Sequence, residues 1–205
     1  MDPPTAQQVL DHMHGFQRTL KFSDFRLINV PPTQASKALT SAQYGSTFAF
    51  AHLTDHQTYS LEPISVTVEF NRSASWMDRS SQVASLLDHE QGHFDIVRLI
   101  ARDFCRQLLS MEMDAIILDS TQDATRLGPL QHARAYMRTE VDKIIAAARA
   151  LMDSLQSTPS RDGIYDTQTM HGTNATVQGQ WDDALQHAIS TNTDLELTLS
   201  LFGLV

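Results

Sequence analysis

The sequence predicts an α+β domain in which a small antiparallel sheet packs against a long helix and a helical hairpin. Three patterns support this prediction: apolar residues alternate along 64–70, and they recur at spacings of three and four along 81–110 and 122–156. Alternation places apolar side chains on one face of a strand, and the second spacing places them along one side of a helix. The strand-like segments come first in the chain, so the sheet is expected to precede the first long helix.

The length and composition are those of one folded domain. We expect the 205 residues to form a single domain, with a helical extension at residues 1–19 and a tail at 191–205. Apolar residues make up 41% of the chain and charged residues 19%, which favours a buried core over disorder. The net charge of −9 disfavours nucleic acids and anionic membranes as partners.

The cysteine count limits the ligands of a metal site, and the first residues bear on the cellular location. Cys105 is the only cysteine, so an internal disulfide is excluded and a metal site must use histidine and carboxylate ligands. No apolar run approaches the roughly 20 residues that span a membrane. The first four residues, Met-Asp-Pro-Pro, lack the basic and apolar regions of a signal peptide. The expected location is the cytoplasm if the chain is complete, and the periplasm or the exterior if a signal was removed.

The N-terminal part is predicted to form a short helix and three strands. Residues 5–20 have helical apolar spacing after a pair of prolines. Strand-like segments are expected at 20–30, 44–54 and 64–70. In the last of these, every apolar residue falls on the same face, so this strand should border the core.

The C-terminal part is predicted to be mainly helical, with helices over 81–110, 122–156 and 173–190. The first two would form the hairpin. Ser80 or Ser81 is expected to cap the first helix, and turn-forming residues at 157–163 follow the second. The apolar end, 195–205, is expected to be an extra strand or an ordered tail.

The strongest motif is His89-Glu90-Gln91-Gly92-His93, an H-E-x-x-H sequence inside the first long helix. Residues four apart lie on the same face of a helix, one turn apart. Two imidazoles in that arrangement can hold a zinc ion, with the glutamate beside the water on the metal. A random chain with this number of histidines and glutamates would contain about 0.01 such matches.

The position of Glu90 within the helix supports a metal site. Projected at about 100° per residue, Glu90 falls inside the apolar stripe, and His89 and His93 fall at its edge. A buried carboxylate is costly without a nearby cation. Zinc would explain this placement, whereas the other interpretation, a helix with histidines at chance positions, would not.

Catalytic zinc usually has three protein ligands, and the residues leave the third one open. The compact motif with a third histidine six residues on is absent, because Leu99 occupies that position. Glu140 projects into the apolar face of the second long helix, and His171 lies in a turn; both are candidates. Nearby, Tyr165 could donate a hydrogen bond to an oxyanion, and Asp166 could orient a ligand imidazole.

A family resemblance rests on several blocks of sequence, which are Leu20-Lys21-Phe22-Ser23-Asp24-Phe25, Ser75-Trp76, the motif segment from Leu86 to Ile96, Ala101-Arg102, and the segment from Tyr165 to Gly172 with Gln178 and Trp181. In this order, over about residues 20–185, the chain resembles the bacterial domain-of-unknown-function nine-two-two family, which is regarded as secreted or envelope zinc peptidases. The resemblance implies a zincin-like fold with His89, His93 and His171 as zinc ligands and Glu90 as the catalytic base. The chain departs from the family at Phe22, where the family usually has tryptophan.

The expected function is zinc-dependent hydrolysis of peptide bonds, with Zn²⁺ as the cofactor and a peptide or protein as the substrate. Glu90 would accept a proton from the attacking water and later pass it to the leaving amine. An edge strand of the sheet could bind the substrate by strand addition. The alternative is a non-catalytic zinc-binding or protein-interaction domain on the same scaffold.

Overall fold

The computed structural model describes residues 3–34, 36–53, 58–114, 129–158 and 161–205. Within these ranges the strands are β1 (Met13–His14), β2 (Arg26–Ile28), β3 (Ala38–Leu39), β4 (Ala42–Leu53), β5 (Thr58–Phe70), β6 (Trp76–Asp78) and β7 (Glu112–Asp114). The helices are α1 (Ala6–Asp11), α2 (Ala84–Leu109), α3 (Pro129–Leu155), α4 (Ile164–Thr169), α5 (Ala175–Thr191) and α6 (Leu195–Leu201). This mixture of small sheets and helices confirms the α+β class.

The strands form two small sheets. Strands β4 and β5 make a long antiparallel pair, and β5 also pairs with β1 and β7. The second sheet has the order β2–β6–β3. β1 runs parallel to β5, and β2 runs parallel to β6, so the sheets are mixed and not purely antiparallel as predicted. Two strands joined by a tight turn run antiparallel. Neither of these two pairs is joined by such a turn, so the strands can run in the same direction.

The first core lies between the β4–β5 sheet and α2. The inward side chains of β5, Ile64, Val66 and Val68, are buried as their alternation predicted. From α2 they meet an apolar set that consists of Phe94, Val97, Ala101, Phe104 and Leu108. Cys105 is fully buried in the same core, and burial raises the pKa of its thiol to about 11. The thiol is therefore a core side chain, as expected.

A second core covers the opposite side of α2. Its buried members are Ile96, Leu99 and Ile100 of α2 together with Leu155, Tyr165, Trp181, Ala184, Leu185, Ala188, Leu195, Leu199 and Leu204. Arg102 also lies on this side of α2 and is only 2% exposed. Its guanidinium donates to Asp103 and to the carbonyls of Ala188 and Thr193. Helices α5 and α6 cover this side, and Arg102 ties them to α2.

The N-terminal prediction was right about the helix but wrong about its length. Thr5 and Gln8 form a capping box at the start of α1. The helix ends at Asp11, because the next residues pair with β5 as β1, with Met13 opposite Val66. Of the predicted strand at 20–30, only β2 is extended, and it follows a short 3-10 helix.

The second half largely follows its predicted helices. α2 and α5 lie close to the predicted bounds, and α3 packs against α2, with Met137 and Val141 in the first core. The first residues of the predicted second helix, 122–128, lie outside the described part of the chain. None of the described helices is both long and apolar enough to cross a bilayer.

The C-terminal residues form a helix and not the strand or tail predicted from their alternation. Asp194 caps α6 by accepting a hydrogen bond from the backbone N–H of Leu197. Leu195 and Leu199, four apart, are then buried together in the second core. Packing against α2 outweighs the strand-like pattern of this short segment.

The predicted serine cap of α2 was wrong. The helix is preceded by Val83, which makes no side-chain capping bond. The hydroxyls of Ser80 and Ser81 instead donate to the Asp78 carboxylate at 2.6 and 2.8 Å. These hydrogen bonds, with one from the backbone N–H of Val30, lower the pKa of Asp78 to about 2.

The Asp78 hydrogen bonds should make stability depend on pH in the acid range. A carboxyl whose pKa is lower in the folded than in the unfolded state, where it is about 3.9, stabilises the fold above that value. The contribution is lost as pH falls through about 2. We expect Asp78→Asn to be less stable than wild type in urea at pH 7, with a difference that shrinks below about pH 4. A difference that is independent of pH down to pH 2.5 would contradict this assignment.

Candidate metal centre

The two histidines of the motif converge on one carboxylate oxygen. His89, Glu90 and His93 lie in α2 with 1%, 2% and 7% of their surface exposed. The Nε2 atoms of His89 and His93 lie 2.9 and 3.1 Å from Oδ1 of Asp166. In the described part of the chain, His89, His93 and Asp166 form the group of three whose donor atoms all lie within 4.8 Å of one another.

Asp166 reaches this position from α4, which packs against α2. Its second oxygen accepts a hydrogen bond from the hydroxyl of Ser157. Burial by itself raises the pKa of Asp166, but the hydrogen bonds from His89 and His93 outweigh it and hold the pKa well below its usual range. The carboxylate is therefore ionised, and an ionised carboxylate is a suitable metal ligand. The sequence had suggested that Asp166 orients a ligand, whereas its Oδ1 lies among the donor atoms.

Two glutamines orient the imidazoles. His93 Nδ1 lies 2.7 Å from Oε1 of Gln156, and His89 Nδ1 lies 3.0 Å from Oε1 of Gln178. An amide oxygen can only accept, so these contacts place a proton on Nδ1 of both rings. The Nε2 atoms face Asp166 and would bind a metal ion after losing the protons that they donate to its carboxylate. Gln156 was missed in the sequence because it lies just after α3, in a segment with no motif.

Glu90 faces a cavity beside these donor atoms. The cavity has a volume of about 280 Å³ and is lined by residues 34 and 36–40, Trp76, Leu86, His89, Glu90, His93, 156–158, Asp162, Asp166 and His171. Within the described residues, Oε2 of Glu90 has no hydrogen-bond partner. Burial raises the pKa of Glu90, and the charges of His93 and His89 oppose this effect.

These observations fit zinc. Two imidazole nitrogens and a carboxylate oxygen match the ligand types of catalytic zinc sites. A buried carboxylate oxygen without a partner is costly unless a cation or water meets it, and Glu90 has such an oxygen. The residues present therefore suit a bound zinc ion and a water beside it.

His171 approaches the same carboxylate from the turn after α4. Its Nδ1 lies 3.3 Å from Oδ1 of Asp166, and its Nε2 lies 3.5 Å from Oδ2 of Asp162. Met170, His171 and Gly172 all have positive φ angles, between 51° and 79°. Such conformations are unfavourable for residues other than glycine and are concentrated at functional sites. This turn places the predicted third ligand at the cavity, beside but outside the compact group of three.

Tyr165 is placed behind the site. The residue is fully buried, and its ring stacks on His89 with an interplanar angle of 8°. Its hydroxyl donates to the backbone carbonyl of His89 and accepts from Gln178. Tyr165 does not line the cavity, so this position suits a support for His89. Its role as an oxyanion donor stays a prediction.

Glu140, the other candidate ligand, is not brought to the site. Its carboxylate pairs with the ammonium group of Lys143 at 2.7 Å on α3. It is not among the residues that line the cavity. Among the described carboxylates, Asp166 and not Glu140 lies with the motif histidines in the group of three.

Gly92 allows Tyr165 to pack directly on the motif helix. A Cβ atom at Gly92 would lie 2.7 Å from Cζ of Tyr165 and closer still to its hydroxyl. We expect Gly92→Ala to lower the free energy of unfolding by about 1–3 kcal/mol through overpacking, although alanine favours helices. Gly179→Ala in α5 is the matched control, because its added methyl meets no described atom within 4 Å. Urea unfolding should show a loss for the first variant and none for the second; equal effects would contradict the packing argument.

No protein-family model, curated protein or solved structure matches this chain. The resemblance to the nine-two-two family therefore stays a prediction.

Proposed function

We propose that the protein is a zinc-dependent peptide hydrolase with a zincin-like arrangement of its motif helix. His89 and His93 would hold the ion, with a third ligand from Asp166 or His171. The observation that carries this proposal is the Glu90 carboxylate: it is buried in the cavity, and its Oε2 has no hydrogen-bond partner among the described residues. A site that only binds metal has no need of a costly buried carboxylate beside its ligands.

The chain's own residues would divide the chemistry between them. Zinc, when bound, supplies a Lewis acid that polarises a carbonyl and makes water acidic near neutral pH. Gln156 and Gln178 keep Nε2 of each motif histidine directed at the site. Glu90 accepts the proton of the attacking water at its carboxylate and passes it to the nitrogen of the leaving amine.

The position of β3 supports an extended peptide as the substrate. Among the described strands, β3 pairs only with β6, so it is the edge of its sheet. Ala38 and Leu39 of β3 also line the cavity that contains Glu90. An edge strand can bind an extended peptide through backbone hydrogen bonds, and this edge would hold the peptide next to the metal donors.

The alternative, a non-catalytic zinc domain, is favoured by one observation. His171 and both motif histidines all approach Oδ1 of Asp166, so four donor groups lie around one point. Zinc bound by all four would have the closed tetrahedral shell of a structural site. In a catalytic site, only three of these four groups would bind the metal.

Metal analysis joined to a cleavage assay tests the proposal. We expect about one zinc per chain in purified wild type, its loss in His89→Ala, and cleavage of some members of a mixed peptide library by wild type. Absence of metal at neutral pH would exclude both zinc functions. Tight zinc binding without cleavage of any peptide would favour the alternative.

A further inference from the structure

A second cavity continues from the candidate metal centre. It has a volume of about 480 Å³. Its wall shares with the first cavity the residues Leu39, Thr40, His93, Gln156, Ser157 and Thr158. The two cavities therefore form one cleft, with the segment around β3 on one side and the end of α3 on the other.

Along α2 and α3, the residues that line the cleft change from polar to apolar. On α2, Val97 lies one turn beyond His93, and both line the second cavity. On α3, Met152 lies one turn before Gln156, which accepts the hydrogen bond of His93. Since residues four apart share a helix face, Val97 continues the face of His93, and Met152 lies on the same side as Gln156, which orients that histidine.

The opposite wall of the second cavity also has apolar side chains. It is formed by residues 39–42, in which the apolar Leu39 and Ala42 flank Thr40 and Ser41. Leu39 is 42% exposed, although it is a large apolar residue beside a cavity. Asp153 and His93 are the titratable residues that line this cavity, and they lie on different helices.

We infer that the second cavity binds a large apolar side chain of the peptide substrate, such as leucine, phenylalanine or methionine. That the ligand is a peptide rests on the proposed function. That the peptide carries a large apolar side chain rests on the cavity. One helical turn is about 5.4 Å, and an extended peptide advances about 3.3 Å per residue. The side chain therefore belongs to a residue one or two positions from the bond next to the metal donors.

Binding of peptides without turnover tests the cavity directly. Two acetylated pentapeptide amides, identical except for a central leucine or glycine, are titrated into metal-free protein, and backbone chemical shifts are followed by NMR. We expect the leucine peptide to bind about 10-fold or more tightly than the glycine peptide. Its shifts should be concentrated at Leu39, Ala42, Val97 and Met152.

Two variants test the walls of the cavity, with a control on the same strand. Ala42→Phe should fill the cavity and remove the preference for leucine. Leu39→Ser should weaken the preference for leucine without disturbing the core, because Leu39 is partly exposed. Ala49→Phe, at an exposed position of β4 outside the cleft, should keep the preference. Equal binding of the two peptides by wild type, or a preference that survives both cavity variants, would overturn the inference.

Cleavage assays with the same peptides separate this inference from the proposed function. If metal-loaded wild type cleaves the two peptides equally well, the cavity inference fails while the hydrolase proposal stands. If wild type prefers the leucine peptide in binding but cleaves neither, the cavity inference stands and the hydrolase proposal fails. If both stand, Ala42→Phe should lower kcat/KM for the leucine peptide about 10-fold and leave that for the glycine peptide unchanged.

Discussion

Glu90→Gln is expected to keep zinc bound and to lower the kcat of peptide hydrolysis by about 100- to 10,000-fold. Glutamine has nearly the shape of glutamate, so the packing of the buried side chain is preserved. It cannot accept a proton, so the attacking water and the leaving amine lose their proton carrier. His89 and His93 are untouched, and their contacts with Gln178 and Gln156 do not involve Glu90.

The measurement is kcat on the best library peptide, together with the zinc content of the same preparation. Glu140→Gln is the matched control, because Glu140 pairs with Lys143 on α3 and lines none of the cleft. It should retain full activity. A Glu90→Gln enzyme that is as active as wild type would exclude Glu90 as the base. Loss of zinc in this variant would show that Glu90 is itself a ligand or is required for metal binding.

The burial of Glu90 could be predicted because it depends only on the phase of one helix. The apolar stripe of α2 spans many turns, so the direction of each side chain follows from its number. Strand β5 was predictable for a similar reason, since its alternation at 64–70 is regular. Both patterns are local, and tertiary packing did not change them.

The glutamine partners of the two histidines could not be predicted, because they depend on how distant segments of the chain meet α2. Asp166 was expected near an imidazole, but the six-residue helix that carries it was not predicted. Gln156 and Gln178 lie 63 and 89 residues from the histidines that they contact, and no local pattern marks a residue for such a contact. The burial of Arg102 has the same origin, since an apolar stripe on one side of a helix does not reveal a second core on the other.

The third ligand is tested with variants of its two candidates, and Asp166→Asn is expected to weaken metal binding more than His171→Ala does. We expect it to weaken zinc by more than about 100-fold, which exceeds the 10- to 100-fold typical of losing a contact that only orients a ligand. The reason is geometric: Oδ1 of Asp166 is within 3.1 Å of both Nε2 atoms. Affinity is measured by competition with a chelating dye, on protein shown to be folded by circular dichroism.

His171→Ala and Asp162→Asn complete this experiment. Asp162 has a side chain that is 57% exposed at the edge of the cavity and contacts only His171 among the site histidines, so Asp162→Asn should bind zinc nearly as wild type does. If the effect of His171→Ala exceeds that of Asp166→Asn, His171 is the third ligand and Asp166 orients the imidazoles, as first predicted. If both variants lose more than about 100-fold, all four groups bind the ion. The shell would then be closed, and the non-catalytic alternative would be preferred. A large loss for Asp166→Asn alone leaves one position of the ion open, which is the arrangement that hydrolysis with Glu90 as the base requires.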